Sequence, residues 1–344
     1  MILYDPTIPV SLLEFGIQIP IRDSRATKTF EALCSEPNLG SHRNLWYRGR
    51  INETLNKEDL LRVHSADYVD RLYSNRLRDE IISTYELIDT NGQYHRYSPD
   101  QATRPFEELF GRVRVKAAGS VQCARLALNH GFCFYFSGGM HHAHHDHGSG
   151  FCLINDIVIA ARKLQAEKVI RKVWIIDVDV HKGDGTAALT ADDSTIMTLS
   201  IHMAHGWPLD GLPKLPDGRP NPCFTPSNID IPIDSGEEAH YMARLEQGLM
   251  QLQRLGEPDL AFVVSGADPY EKDELPSTAE LKLSLDQMLT RDLLIYRFLQ
   301  KLGIPSAYFM AGGYGDEVWE VYARFLIRVL KARMSDVSHR GFGN

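Results

Sequence analysis

The 344-residue sequence has no CxxC pair, and its five cysteines (Cys34, Cys123, Cys133, Cys152 and Cys223) are scattered and odd in number. Neither a disulfide framework nor a thiolate zinc site is suggested, and reduced thiols in a cytoplasmic protein are expected. No stretch approaches the ~20 uninterrupted apolar residues that a membrane helix needs. The opening MILYDPTIPV lacks a basic region followed by an apolar core and a small-residue cleavage site, so no secretory signal is read there. Basic charge is scarce: 37 Lys and Arg face 45 Asp and Glu, for a net charge of -8. That argues against sequence-independent nucleic-acid binding, which needs basic surface. It leaves open a cationic substrate such as a lysine-bearing peptide. No Pro/Gly/Ser-rich linker and no internal repeat divides the chain, so one domain over residues 1–344 is expected. Apolar residues make up 43% and charged residues 24%. Those globular values leave no room for a disordered chain or a coiled coil.

Short apolar, β-rich runs predict strands at 132–136, 173–177, 196–200, 260–265 and 307–310. Helical spacing predicts helices over 113–128, 155–168, 238–255, 285–302 and 318–330. Strands alternating with helices imply βαβ units and a parallel sheet covered on both faces. Residues 210–226 hold five prolines and two glycines and read as a long surface loop. Residues 84–105 are polar and irregular and read as another loop.

Ligands of such sheets bind beyond the carboxyl ends of the strands, and polar residues cluster there. After the first run, five of the fourteen histidines fall within seven positions: His141, His142, His144, His145 and His147. The plain reading is a polar, metal-scavenging surface loop. The functional reading makes the adjacent His141 and His142, on a Gly-rich turn, general acid/base groups. The second run leads into Asp177, Asp179 and His181, which alternation at period two turns to one side. Two carboxylates and an imidazole converging there need a cation. Asp184 could simply cap a helix. Asp268 follows the run at 260–265 and is the third ligand candidate, although a lone Asp there is usually a turn residue. Asp179, His181 and Asp268 supply one nitrogen and two oxygen donors and leave a coordination position for water and substrate. The set is hard enough for Fe2+, Co2+ or Mn2+ as well as Zn2+. Tyr314, between glycines in Ala311-Gly-Gly-Tyr-Gly315, could swing a phenol over the site or merely pack in a tight turn.

The four segments HHAHHDHGSGFCLIND, IDVDVHKGDGT, GADPYEKD and AGGYG, in this order, closely resemble the zinc-dependent histone deacetylase family, which includes acetylpolyamine amidohydrolases and acetoin-utilisation proteins. The likeness runs from about Arg22 to the C-terminal helix. The arginases that share the fold use a D-x-H-x-D order for two manganese ions, whereas the D-x-D-x-H order here implies one catalytic metal. The resemblance implies an arginase–deacetylase fold: a three-layer α/β/α domain around a mostly parallel eight-stranded sheet. It carries the metal ligands over to Asp179, His181 and Asp268, and the tandem histidines to His141 and His142, oriented by Asp177 and Asp184. His142 takes the proton of water and returns it to the leaving amine, His141 stabilises nearby charge, and Tyr314 donates to the oxyanion. Phe151 and Trp207 correspond to the aromatic walls of a lysine-sized tunnel, the Gly150 carbonyl to the acceptor of the substrate N–H, and Met140 to the foot of the pocket. Leu275 falls at the tunnel rim, and Arg25 matches an internal-channel arginine. A K+ site would use Asp177, Ser200 and the carbonyls of Asp179, His181 and Ile201. A second monovalent site is placed near Thr190, Asp193 and Ile196.

Lys182 stands where many members have a second His. Glu274 replaces an Arg that helps several nuclear members bind inositol phosphate and corepressor, which argues against those partners here. His144, His145 and His147 take no role from the family and are read as bystanders on the rim. The leading expectation is a metal-dependent lysine deacylase acting on acyl-lysine peptides. The alternatives are an acetylpolyamine or other small-molecule amidohydrolase, and a catalytically silent acyl-lysine-binding module. The oligomeric state is not read from the sequence.

Overall fold

The computed structural model describes residues 1–208, 214–221 and 224–340, with side chains to residue 335. Cys223, with residues 210–213 and 222 of the stretch 210–226, lies outside the described residues. The described strands are β1 (Ile2–Leu3), β2 (Tyr47–Arg48), β3 (Phe132–Tyr135), β4 (Val173–Asp177), β5 (Ile196–Met203), β6 (Ile229–Ile233), β7 (Leu260–Val264) and β8 (Ser306–Phe309). They form one sheet in the order β2-β1-β3-β8-β7-β4-β5-β6. Every pairing is parallel, so the sheet is more uniform than the mostly parallel one expected.

The central strands are continuous apolar runs because both faces of the sheet are covered. Alternation divides their side chains between two cores. Cys133, Tyr135, Val173, Ile175, Phe262 and Phe309 enter one. Phe132, Phe134, Trp174, Ile176, Val263 and Tyr308 enter the other. The first core is closed by the helices Glu107–His130 and Asp156–Ala166. The second is closed by Ser24–Ser35, Tyr241–Arg254, Leu285–Lys301 and the buried face of Trp319–Arg340. Local chemistry sets helix ends. Ser284 and Gln287 form a capping box before Leu285–Lys301. Gly131, at φ +75°, ends Glu107–His130 with its N–H on the Ala127 carbonyl.

Five of the eight described strands stand where the apolar runs place them. The two-residue β1 and β2 are too short for a pattern. β6 alternates buried and half-buried residues around Pro232, which an edge strand tolerates. Among the described residues no helix is long and apolar enough to cross a membrane.

Candidate active site

The four motif-bearing strands, β3, β8, β7 and β4, are contiguous at the centre of the sheet. Because all run parallel, the segments that follow them emerge at one edge. Groups far apart in sequence are thus gathered around one cavity of about 110 Å3. His141, His142, Gly150, Phe151, Asp179, His181, Gly312 and Tyr314 all line it.

The donor atoms of Asp179, His181 and Asp268 lie within 4.8 Å of one another, and all three residues are buried. His181 Nδ1 sits 3.2 Å from Asp179 Oδ1 and 3.2 Å from Asp268 Oδ2. The remaining oxygens are tied to backbone: Gly312 N–H donates to Asp179 Oδ2 at 2.9 Å, and Val180 N–H to Asp268 Oδ1 at 3.0 Å. Asp268 Oδ2 is buried without a hydrogen bond. Burial and the charge of Asp179 push the Asp268 carboxyl above its ordinary pKa. A cation resolves both the unsatisfied oxygen and the repulsion, so the donor set fits a divalent metal. Gly312 is required here, because a Cβ at that position would run into both carboxylates.

Two imidazoles stand beside this triad, each backed by a carboxylate. His141 Nδ1 is 2.7 Å from Asp177 Oδ2, and His142 Nδ1 is 2.7 Å from Asp184 Oδ1. Their rings are 3.9 Å apart. Their environments separate their proton affinities. Burial depresses His141, but Asp177 and Asp179 outweigh it and hold its pKa at about 9. Burial and the neighbouring His141 bring His142 down to about 4. His144 is no bystander: its Nε2 lies 3.1 Å from Asp184 Oδ2, so one carboxylate serves both His142 and His144. Its ring stacks on that of His147, centroids 4.7 Å apart. His145 instead bonds the Val63 carbonyl at 2.9 Å.

Buried polar groups hold these loops, and of those that follow only Arg25 is singled out in the sequence. Asp156 accepts the N–H groups of Gly139 (3.2 Å) and Met140 (2.7 Å), which fixes the turn before the tandem histidines. Asp273 accepts the Tyr314 N–H at 2.7 Å. Arg25 is 3% exposed and donates to the carbonyls of Met310, Ala311 and Gly313. Arg291, fully buried and paired with Asp292, donates to the Val178 carbonyl at 2.9 Å. Burial, with the charges of Asp268 and Asp179, raises the Tyr314 phenol well above its ordinary pKa. The hydroxyl therefore keeps its proton and can donate it in a hydrogen bond.

Trp207 is not among the cavity's lining residues, but its ring is 4.5 Å from that of His142 and 5.6 Å from that of His181, which both line it. Phe151 meets Tyr314 edge-on at 6.5 Å and stacks on Tyr85 at 6.3 Å. Gly150 has φ +52°, and a Cβ there would strike Trp207 and His142. Met140 and Arg25 also line the cavity. Leu275 differs from its expected place. It turns inward, 5% exposed, and is not among the cavity's lining residues. Its neighbour Glu274 is pinned outside by Arg22 at 2.9 Å and by the Asp316 N–H at 3.1 Å.

Of the residues assigned to K+, Asp177, Asp179, His181, Ser200 and Ile201 are all buried. Ser200 Oγ lies 3.0 Å from His202 Nδ1. Lys182 turns away from the triad to Asp230, 2.5 Å distant. Asp193 is engaged by Thr195 and Arg162.

His64 braces the His-rich loop from below. Its Nδ1 is 2.8 Å from the His144 carbonyl, and its Nε2 accepts the Asn155 N–H at 3.1 Å. Burial lowers its pKa to about 4, against about 6.5 when unfolded. The neutral ring's contribution to stability is therefore full above pH 6.5 and is lost as pH falls toward 4, by about 3 kcal/mol in total. Denaturant melts at pH 7.5 and 4.5 should show His64→Gln with a weaker pH dependence than the wild type by roughly that amount. Equal pH dependence would remove His64 from this role.

The geometry defines a three-layer α/β/α protein with a buried carboxylate–imidazole group, able to hold a metal ion, at the sheet's carboxyl edge. The profile of the histone deacetylase domain matches residues 19–330. The chain belongs to the histone deacetylase family. It is 29% identical over 287 residues to histone deacetylase B of Dictyostelium discoideum, covering 80% of this chain and 62% of that protein. It is 26% identical over 258 residues to histone deacetylase 2 of Arabidopsis thaliana, covering 75% and 61%. An uncharacterised protein of Picosynechococcus sp. is 31% identical over 214 residues, covering 62% and 66%. The alignments span between 41% and 66% of the length of these and the other curated relatives. The crystal structure of the HDA15 HD domain superposes with a TM-score of 0.67 at 20% identity, over 96% of this chain and 90% of that one. The fold is the arginase–deacetylase type.

Proposed function

We propose that this chain is a metal-dependent amidohydrolase that removes acetyl or other short acyl groups from the side-chain amine of lysine. One observation carries the reading: two carboxylate-backed imidazoles, a phenol and two members, Asp179 and His181, of a buried Asp–His–Asp triad line one cavity. Asp179, His181 and Asp268 would hold the metal, Zn2+ or alternatively Fe2+ or Co2+. When bound, such an ion polarises an amide carbonyl and acidifies water. The remaining steps belong to the protein. His142, kept neutral at pH 7 by burial, accepts the proton of the attacking water and delivers it to the departing amine. Asp184 fixes its ring. His141, kept charged by Asp177 and Asp179, stabilises negative charge as it develops. The Tyr314 hydroxyl donates to the oxyanion. Phe151 and Trp207 flank the aliphatic stem of the substrate, and the Gly150 carbonyl accepts the amide N–H. The products are a carboxylate and a free amine.

Asp177, Ser200 and the carbonyls of Asp179, His181 and Ile201 remain the proposed K+ ligands. A single catalytic domain spanning the chain and residence in the cytoplasm complete the reading. The four described cysteines, all unpaired, support that compartment. Relatives named histone deacetylases support a lysine substrate over a polyamine. So does the rim, where Glu274 is occupied by Arg22 and is not free to meet a second ammonium. The test is kcat/KM for an acetyl-lysine peptide against N-acetylputrescine and acetylspermidine on one preparation. The peptide should be preferred. A preference for the polyamines that disappears in Glu274→Leu would replace this reading with the small-molecule one.

A further inference from the structure

The two ring nitrogens of His181 face opposite ways. Nδ1 faces the triad, 3.2 Å from Asp179 Oδ1 and 3.2 Å from Asp268 Oδ2. Nε2 faces outward and lies 3.2 Å from the Ser277 hydroxyl. The residue is buried, so water has little access to that nitrogen. Ser277 sits in the middle of a short helical turn, Pro276–Thr278. Pro276 presets the backbone at the first position of the turn. The Leu275 side chain, buried beneath it, anchors the start, and the Thr278 N–H closes it on the Leu275 carbonyl at 3.1 Å. Asp273 Oδ1 accepts the Leu275 N–H at 3.0 Å and the Thr278 hydroxyl at 3.1 Å, while its Oδ2 takes the Tyr314 N–H at 2.7 Å. One carboxylate thus ties the turn that presents Ser277 to the loop that presents Tyr314. The Trp207 ring packs edge-on against the His181 ring.

We propose that Ser277 is a positioning residue for the metal: its hydroxyl accepts the His181 Nε2–H and keeps the Nδ1 lone pair aimed between Asp179 and Asp268. This rests on the reading of Asp179, His181 and Asp268 as metal ligands. A neutral imidazole has one N–H and one lone pair. The hydrogen bond made by one nitrogen decides which of the two keeps the proton. With Nδ1 given to a metal, the proton sits on Nε2, where burial makes an unpaired N–H costly. The Ser277 oxygen removes that cost in the one tautomer able to ligate. The three imidazoles of the site are backed differently. Asp177 and Asp184 set full charges behind His141 and His142, which suits groups that hold or move protons. His181 has a neutral hydroxyl on its outer nitrogen. A hydroxyl is a weaker acceptor than a carboxylate, so it orients the ring and adds little to its basicity.

The test is the Zn2+ dissociation constant of chelator-stripped protein, measured by competition with a chromogenic chelator in the wild type, Ser277→Ala, Ser277→Thr and His181→Ala. It requires no turnover. Ser277→Ala should bind Zn2+ about ten- to a hundredfold more weakly, the usual loss for an outer partner of a metal-bound histidine. Ser277→Thr keeps the hydroxyl and should restore most of the affinity. The stripped wild type, Ser277→Ala and Ser277→Thr should melt at the same temperature, which separates a lost hydrogen bond from damage to the turn. Ser277→Gly replaces Ser277→Ala if the latter does not fold. Unchanged affinity in Ser277→Ala would overturn the proposal. So would equal weakening in Ser277→Ala and Ser277→Thr, because the hydroxyl would then not be the cause. Loss of affinity in His181→Ala but not in Ser277→Ala refutes the role of Ser277 alone. His181→Ala that binds Zn2+ no more weakly than the wild type refutes the ligand reading, and the proposal with it.

Discussion

His181→Ala and Asp179→Asn should each lose bound divalent metal and reduce turnover by more than about a thousandfold. The triad consists of three buried side chains whose donor atoms meet within 4.8 Å, and among the described residues no fourth group joins them. A lost ligand is therefore not replaced. A bound metal supplies several kcal/mol of transition-state stabilisation, and each 1.4 kcal/mol is a factor of ten in rate. Both variants should lose stability. Burial opposes the Asp179 charge, but His141 and His181 outweigh it and hold the carboxyl well below its ordinary pKa, so Asp179→Asn should lower the melting temperature of the metal-free protein. His181→Ala leaves a hole beside Trp207 and His142 and should melt lower. Metal analysis of purified protein, paired with kcat, checks both. Full occupancy with intact turnover in either variant would overturn the ligand assignment.

Tyr314→Phe should lower kcat by about 10²–10³, the usual loss for one oxyanion donor, while metal content and melting temperature stay unchanged. The reasoning separates the backbone of Tyr314 from its hydroxyl. Asp273 holds the Tyr314 N–H, and Arg25 and Tyr322 hold the carbonyls of the preceding glycines. Phenylalanine keeps all of these contacts and the edge-on packing with Phe151. Only the hydroxyl goes, and its raised pKa marks it as a donor and not a base. Wild-type turnover in this variant would leave Tyr314 as a packing residue in a tight turn.

The centre of the sheet was legible in the sequence because strands covered on both faces are continuous apolar runs. β4 was read to the residue, and β3, β7 and β8 to within one. β5 runs three residues past its expected end, where His202 looks polar but is buried. The peripheral strands escaped because two residues carry no period and β6 alternates like an exposed segment. The chemical groups at the strand ends stood out as dense polar clusters. Their supports did not. Asp156, Asp273 and Arg291 act across the fold, and in sequence each resembles an ordinary helix or loop charge. Leu275 shows the reverse limit: its distance from Asp273 along the chain could not say that the turn buries it.

The measurement that bears most directly on the whole account is hydrolysis of an acetyl-lysine peptide by protein stripped with chelator and then given back Zn2+, Fe2+ or Co2+. The D-x-D-x-H order and the single buried triad predict that turnover disappears on stripping and returns in proportion to added metal, saturating at about one ion per chain. Undiminished hydrolysis by protein with no detectable divalent metal would contradict it.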